Sequence, residues 1–215
     1  MKKYLIATQA QQQYLATAHP GILAGTHCLA TDAQLIPEAG DWVLDLSYEQ
    51  HPHRLAGYLP VAGATILLGN VLHSLGEQVH RLGIPARCQL YGVNHLPGFL
   101  ALPAWELCKL QPEAPAPAHV PPYQQVADEV GLVTPRVLAM IINEAYYLLQ
   151  EETASAEDID AAMKLGVNYP KGPLAWAQEI GPGYIAELLI RLQRATGQEK
   201  YSPCRLLRQQ RLKTS

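Results

Sequence analysis

His51 and His53 flank Pro52 in a chain of 215 residues, and two imidazoles so close together are the donors a zinc or copper site would use. Such a site needs a third protein ligand at useful spacing. None is near, so HPH reads as a surface turn, and no metal is expected. Cys28, Cys88, Cys108 and Cys204 lie far apart without a CxxC pair, which points to neither a zinc site nor a disulfide framework but to reduced thiols. Arg205, Arg208, Arg211 and Lys213 follow one another at irregular spacing near the end of the chain, as on a solvated helix face. With 16 Lys and Arg against 19 Asp and Glu, a net charge of −3, no basic stripe tracks a phosphate backbone, and nucleic acid is excluded as an expected partner.

The elements that must position any chemistry fall into two groups. PEAPAPAHVPP carries five prolines and reads as an extended linker over 112–122. Before it, YLIAT, THCLAT, DWVLDLS, ATILLGN and ARCQLYGVN have the length and apolar content of strands covered on both faces, and HRLAGYL and LHSLGEQVHRLG alternate with the later ones as helices. That order predicts a parallel α/β sheet over residues 1–111. After the linker the period changes to 3.6. A helix begins with Thr134 as N-cap and Pro135 at its first position, with Leu138, Ile141, Ala145, Leu148 and Leu149 on one face. Ser155 and Asp158 form a capping-box pattern that opens a helix ended by Gly166, and Pro173 and Pro182 open two more, the last stopping at Gly197. Residues 123–215 are therefore expected to be all-α. Apart from Trp176, the other two tryptophans, Trp42 and Trp105, precede the linker, and all three read as core residues. Gln9, Gln11, Gln12 and Gln13 interrupt the apolar start, so no signal peptide is expected, no run reaches the ~18 residues of a membrane helix, and the expected location is cytoplasmic.

The stretch NEAYYLLQEETASAEDIDAAMKLGVNYPKGPLAWAQEIG, with GLVTPR before it and KYSPCRLLRQQ after it, resembles the C-terminal helical domain of the 3-hydroxyacyl-CoA dehydrogenases, including the 3-hydroxybutyryl-CoA dehydrogenases. The resemblance implies that the first part is a shortened Rossmann-like domain, that the helical domain dimerises, and that an acyl-CoA lies in the cleft between the two. It also implies an NAD cofactor and an oxidoreductase role in fatty-acid metabolism. DWVLDLSYEQHPHRL, ATILLGNVLHSL and LYGVNHLPGFLALPAWELC are similar, more weakly, to successive segments of that Rossmann domain.

Carried over position by position, the chemistry is incomplete. A dinucleotide turn needs glycines where the backbone approaches the pyrophosphate, and Thr8, Ala10 and Gln13 stand there. Asp32 is the candidate for the acid that binds the ribose hydroxyls, and only eight residues separate it from Asp41. The family's catalytic His precedes its Glu by twelve residues. Glu106 supplies the Glu, but Asn94, an amide that takes no proton at neutral pH, stands at the His position with His95 beside it. The Asn-Thr-Ser-Ser turn becomes Asn70, Val71, Leu72 and His73, and a substrate-binding Asn becomes Pro135. These substitutions predict a divergent member with a degenerate NAD site, a pseudoenzyme without efficient NAD-dependent activity. It would work as a homodimer, or as a heterodimer with a full-length relative, with acyl-CoA as its candidate ligand. The alternative is an active 3-hydroxyacyl-CoA dehydrogenase in which His95 is the base and Glu106 orients it.

Overall fold

The computed structural model describes residues 1–213, which fall into two compact units, Met1–Leu132 and the residues from Val133 onward. The first unit is built on a seven-stranded sheet: β1 (Lys3–Ile6), β2 (Thr26–Leu29), β3 (Trp42–Asp45), β4 (Thr65–Gly69), β5 (Gln89–Val93), β6 (Trp105–Lys109) and β7 (Tyr123–Val126). The spatial order is β2-β1-β3-β4-β5-β6-β7. All neighbours are parallel except β5 and β6, so β6 starts at the edge where β1, β3, β4 and β5 end. Helices α1 (Gln9–Ala18), α2 (Pro20–Leu23), α3 (Leu55–Tyr58) and α4 (Leu75–Leu82) connect the strands. This is the truncated, mostly parallel Rossmann-like sheet that the alternation of apolar runs predicts.

The register explains why these runs become strands. Leu5, Leu44, Leu67 and Tyr91 are paired across four strands, and this row forms one core with Leu15 of α1, Ile22 of α2, Trp42, Trp105 and Leu107. The opposite row, Tyr4, Val43, Ile66 and Leu90, is also mostly buried. Burial on both faces is why these strands read as continuous apolar runs rather than alternating ones.

The sheet runs further than expected. Residues 123–126, assigned from sequence to the helical domain, form β7 beside β6, and the α/β unit continues to Leu132. The proline-rich stretch 112–122 is accordingly not a spacer between domains but the crossover that parallel neighbours require. It is fastened to the sheet: the Tyr91 hydroxyl donates to Pro115 O at 2.8 Å, the Trp42 indole N–H to Ala118 O at 2.9 Å, and Lys109 Nζ to Ala114 O at 2.7 Å.

The second unit comprises α5 (Thr134–Gln150), α6 (Ala156–Val167), α7 (Pro173–Ile180), α8 (Pro182–Thr196) and α9 (Arg205–Lys213). Thr134 is the first helical residue of α5 and Val133 its cap position, so the expected N-cap is displaced by one. The buried face of α5 is Leu138, Ala139, Ile142, Asn143, Ala145 and Tyr146, whereas Leu148 is exposed. Ser155 caps α6 as expected, accepting from Asp158 N at 3.1 Å. Gly166 does not end that helix: α6 runs through it to Asn168, whose left-handed φ of 56° makes the C-cap, a conformation asparagine tolerates better than other non-glycine residues. Gly197, at φ 68°, ends α8. Two polar side chains, a half-buried Asp160 and a buried Asn143, tie the unit together. Asp160 of α6 accepts from Leu174 N and Ala175 N at the start of α7, and Asn143 of α5 bonds Ser202 O and Cys204 N ahead of α9. No helix among the described residues is long and apolar enough to cross a membrane.

Candidate functional site

The direction in which successive strands are added reverses between β1 and β3, because β2 lies on one side of β1 and β3 on the other. In open α/β sheets ligands lie beyond the carboxyl ends of the strands at such a point, so the ends of β1, β3, β4 and β5 are where chemistry is expected.

At the end of β1 the helix N-terminus is closed on itself. Thr8 caps α1: its hydroxyl accepts from Gln11 N at 3.2 Å, while the Gln11 side chain accepts from Thr8 N at 2.9 Å. This reciprocal capping box satisfies with side chains the backbone donors that a dinucleotide turn presents to a pyrophosphate. Thr8, Ala10 and Gln13 occupy the three glycine positions with side chains, and all three are exposed. Asp32 is exposed in the turn after β2, and residues 30–41 cross back to β3 without a helix. The residues present do not fit a dinucleotide at this turn.

The end of β3 is occupied by a buried ion pair. Asp45 and Arg54 have side chains 0% and 4% exposed, with Arg54 Nη1 3.1 Å from Asp45 Oδ2. The same nitrogen donates to Ser47 Oγ at 2.9 Å, and Nη2 donates to Thr31 O, which anchors the loop after β2. Asp45 also accepts from Ser47 N at 3.0 Å and from the Tyr58 hydroxyl at 3.0 Å. Burial, and then the adjacent Asp45 charge, push the Tyr58 phenol well above its ordinary range, so it remains a donor. A positive guanidinium at a switch point could serve an anion, but here its charge is met by Asp45.

Beyond β4 and β5 lie the residues of the resemblance. Glu49, on the turn after β3, reaches the loop after β4: its Oε1 accepts from Val71 N at 2.6 Å and Leu72 N at 2.7 Å. Its Oε2 is 3.5 Å from His95 Nε2, with side chains 3% and 8% exposed respectively. His95 can lie there because Gly69 has no side chain; a Cβ at that position would come within 2.9 Å of the imidazole. Asn94 Nδ2 donates to Glu106 Oε2 at 3.2 Å. Asn94 and His95 both follow the last residue of β5, so strand alternation no longer governs their directions, and both reach carboxylates at the same edge. Asn70 donates to His73 O at 2.8 Å. Gln78 of α4 lies between Asn70, to whose Oδ1 its amide donates, and the buried Tyr48 hydroxyl, from which its Oε1 accepts.

The structure therefore brings Asn94, His95, Glu106 and residues 70–73 to one edge and leaves Asp32 in an exposed turn. His51 and His53 stack edge to face at 6.0 Å, and no group of three or more His, Cys, Asp or Glu suited to a metal occurs among the described residues. Reading the sequence missed Glu49, Asp45 and Arg54. The capping box had a local signal, the T-x-x-Q pattern of Thr8 and Gln11, whereas a carboxylate bonding amides 22 residues away has none.

Residues 131–213 match the family described as 3-hydroxyacyl-CoA dehydrogenase, C-terminal domain. The 3-hydroxyadipyl-CoA dehydrogenase of Escherichia coli (strain K12) is 54% identical over 88 residues, 41% of this chain and 18% of that protein. A probable 3-hydroxybutyryl-CoA dehydrogenase of Bacillus subtilis (strain 168) is 46% identical over 84 residues, 39% of this chain and 29% of that protein. The matched stretch thus spans less than a third of either relative. The crystal structure of a 3-hydroxybutyryl-CoA dehydrogenase from Escherichia coli K12 is similar over 69% of this chain and 32% of that one, at 34% identity and a TM-score of 0.56. That of (S)-3-hydroxybutyryl-CoA dehydrogenase from Ralstonia eutropha covers 97% of this chain and 92% of that one at 19% identity and a TM-score of 0.67, a likeness of fold.

Proposed function

We propose that the chain, whose residues 131–213 match the C-terminal domain of the 3-hydroxyacyl-CoA dehydrogenases, has kept that family's helical unit while losing efficient NAD-dependent turnover. It acts instead as a cytoplasmic, dimeric acyl-CoA-binding or partner protein, either with itself or with a full-length relative. The observation that carries this reading is the capped start of α1, where Thr8 and Gln11 hold the donors a pyrophosphate needs. Asn94 adds to it: an amide bonded to Glu106 can orient a group but cannot take a hydroxyl proton.

The test is a titration with NADH followed by nicotinamide fluorescence, with and without acetoacetyl-CoA, alongside the mass in solution. No NADH binding up to millimolar concentration and a dimeric mass are expected. Binding at about 1 μM, a free energy near −8 kcal/mol, would overturn the loss of the cofactor site. A monomer that recovers no full-length dehydrogenase would overturn the partner role.

A second reading, an active 3-hydroxyacyl-CoA dehydrogenase of fatty-acid metabolism, is favoured by the buried approach of His95 to a carboxylate, the arrangement by which a general base is oriented. The carboxylate at 3.5 Å is Glu49, with Glu106 bonded to Asn94. On this reading His95→Gln abolishes turnover and Asn94→Ala does not; a chain without measurable turnover rules it out.

A further inference from the structure

We propose that the consecutive amides of Val71 and Leu72 form a carboxylate-binding seat whose resident ligand is the protein's own Glu49. Two backbone N–H groups converge on a single oxygen at 2.6 and 2.7 Å, the arrangement by which successive amides make an anion-binding concavity. The second oxygen faces His95 Nε2 at 3.5 Å, so the carboxylate is held from both sides.

Three features distinguish this from a loop stapled by a neighbouring side chain. The seat lies just past the carboxyl end of β4, in the crevice where sheets of this kind hold ligands. The carboxylate is delivered from another element, the turn Tyr48–Gln50 after β3, so the amides are arranged by the β4 loop and the anion comes to them from outside it. The loop has its own support: Asn70 bonds His73 O, and Val71 O accepts from Gly131 N at 2.7 Å. The amides are therefore held in place by bonds that do not involve Glu49.

The Glu49 side chain is 3% exposed, which places both bonds out of water, where charge-assisted hydrogen bonds are strongest. Truncating it leaves a buried space with two donors facing inward, which water or a small anion must satisfy. A small carboxylate reproduces the group removed. In the intact protein any carboxylate-bearing ligand at this edge must first displace Glu49, so the seat is closed by an intramolecular competitor. This holds whether or not a dinucleotide binds at β1.

The experiment is thermal unfolding of the full chain and of Glu49→Ala in formate or acetate up to 100 mM, with chloride at matched ionic strength, together with amide NMR of Val71 and Leu72. Glu49→Ala is expected to melt several degrees lower, to recover saturably with formate or acetate, and to show those two amide resonances moving with the carboxylate; the unsubstituted chain responds to neither. Recovery at tenfold excess over Kd amounts to a few degrees. If formate does no more than chloride for Glu49→Ala, or moves the unsubstituted chain equally, the proposal is overturned. If Glu49→Ala does not fold in buffer, it is refolded with and without 100 mM formate: folding with formate alone supports the seat, and failure in both overturns it. Glu49→Gln, which keeps an acceptor oxygen over the amides, is expected to fold and to ignore formate.

Discussion

Arg54→Met tests whether the end of β3 is organised by charge. The guanidinium is the cationic partner of Asp45, and both side chains are essentially out of water. Methionine keeps much of the volume but leaves the carboxylate with Ser47 and Tyr58 as donors and no positive charge. Breaking a buried pair from one side costs about 3–5 kcal/mol, because the remaining charge is uncompensated. For a chain of this size each kcal/mol lowers the melting temperature by about 2–4 °C, so a fall on the order of 10 °C is expected. In the double variant Asp45→Asn, Arg54→Met the stranded charge is gone while Tyr58 and Ser47 keep an acceptor, and the loss falls to about 1–2 kcal/mol, less than that of Arg54→Met alone. The assay is urea unfolding by tryptophan fluorescence in a Trp176→Phe background, so that Trp42 and Trp105 report on the α/β unit alone. A loss below about 1 kcal/mol for Arg54→Met, or a double variant no more stable than Arg54→Met, would refute the reasoning.

Thr8→Ala removes the cap of α1 and is expected to cost about 1 kcal/mol, and Thr8→Gly only a few tenths, by urea unfolding; neither change confers NADH binding. At Asn168, φ 56°, Asn168→Gly is expected to be close to neutral, while Asn168→Val costs about 1–2 kcal/mol, read by thermal melting followed by helical circular dichroism. Asp41 is subject to burial, which raises its pKa, but bonds from Lys2 N at 2.8 Å and Glu38 N at 3.0 Å outweigh it and hold the carboxyl below its ordinary value. A lowered folded-state pKa gives stability that is present above the unfolded pKa, about 3.9, and is lost as pH falls through the folded value, so Asp41→Asn is expected to flatten the decline of the unfolding midpoint below about pH 4.

What could be read from sequence divides along the range of the interactions. The five apolar runs became β1 to β5 because each carries its own signal, and Ser155 and Gly197 mark helix ends through residues within one turn of them. Tyr123–Val126 was hidden because YQQV is half polar and follows prolines; its identity comes from pairing with β6, not from its own composition. Gly166 misled for the opposite reason: a good stop residue lay two positions before an asparagine that could also adopt the left-handed conformation, and the helix used the later one. At the candidate site, the substitutions at Thr8, Ala10, Gln13 and Asn94 were legible as residue types. That Asn94 bonds Glu106 while His95 turns to Glu49 depends on where β5 stops, which spacing alone does not specify.

The replacements at the carboxyl edge share a physical logic. A helix start or a loop after a parallel strand presents backbone donors that have no partner within their own element, and a side chain can accept from them. At α1 the partners are Thr8 and Gln11, at the loop after β4 the partner is Glu49, and at the start of α4 it is Asp128, which accepts from Leu75 N and Gly76 N at 2.7 and 2.8 Å. Each of these acceptors is a side chain of the protein at a place where this class of sheet can receive a ligand's oxygen. Satisfying donors internally stabilises the unit without a ligand, and it sets the same bonds as the cost any ligand must overcome. That coupling makes the two measurements informative together: a carboxylate that occupies the Val71–Leu72 seat in Glu49→Ala, in a chain that still binds no NADH, would separate the closing of one seat from the loss of the dinucleotide turn.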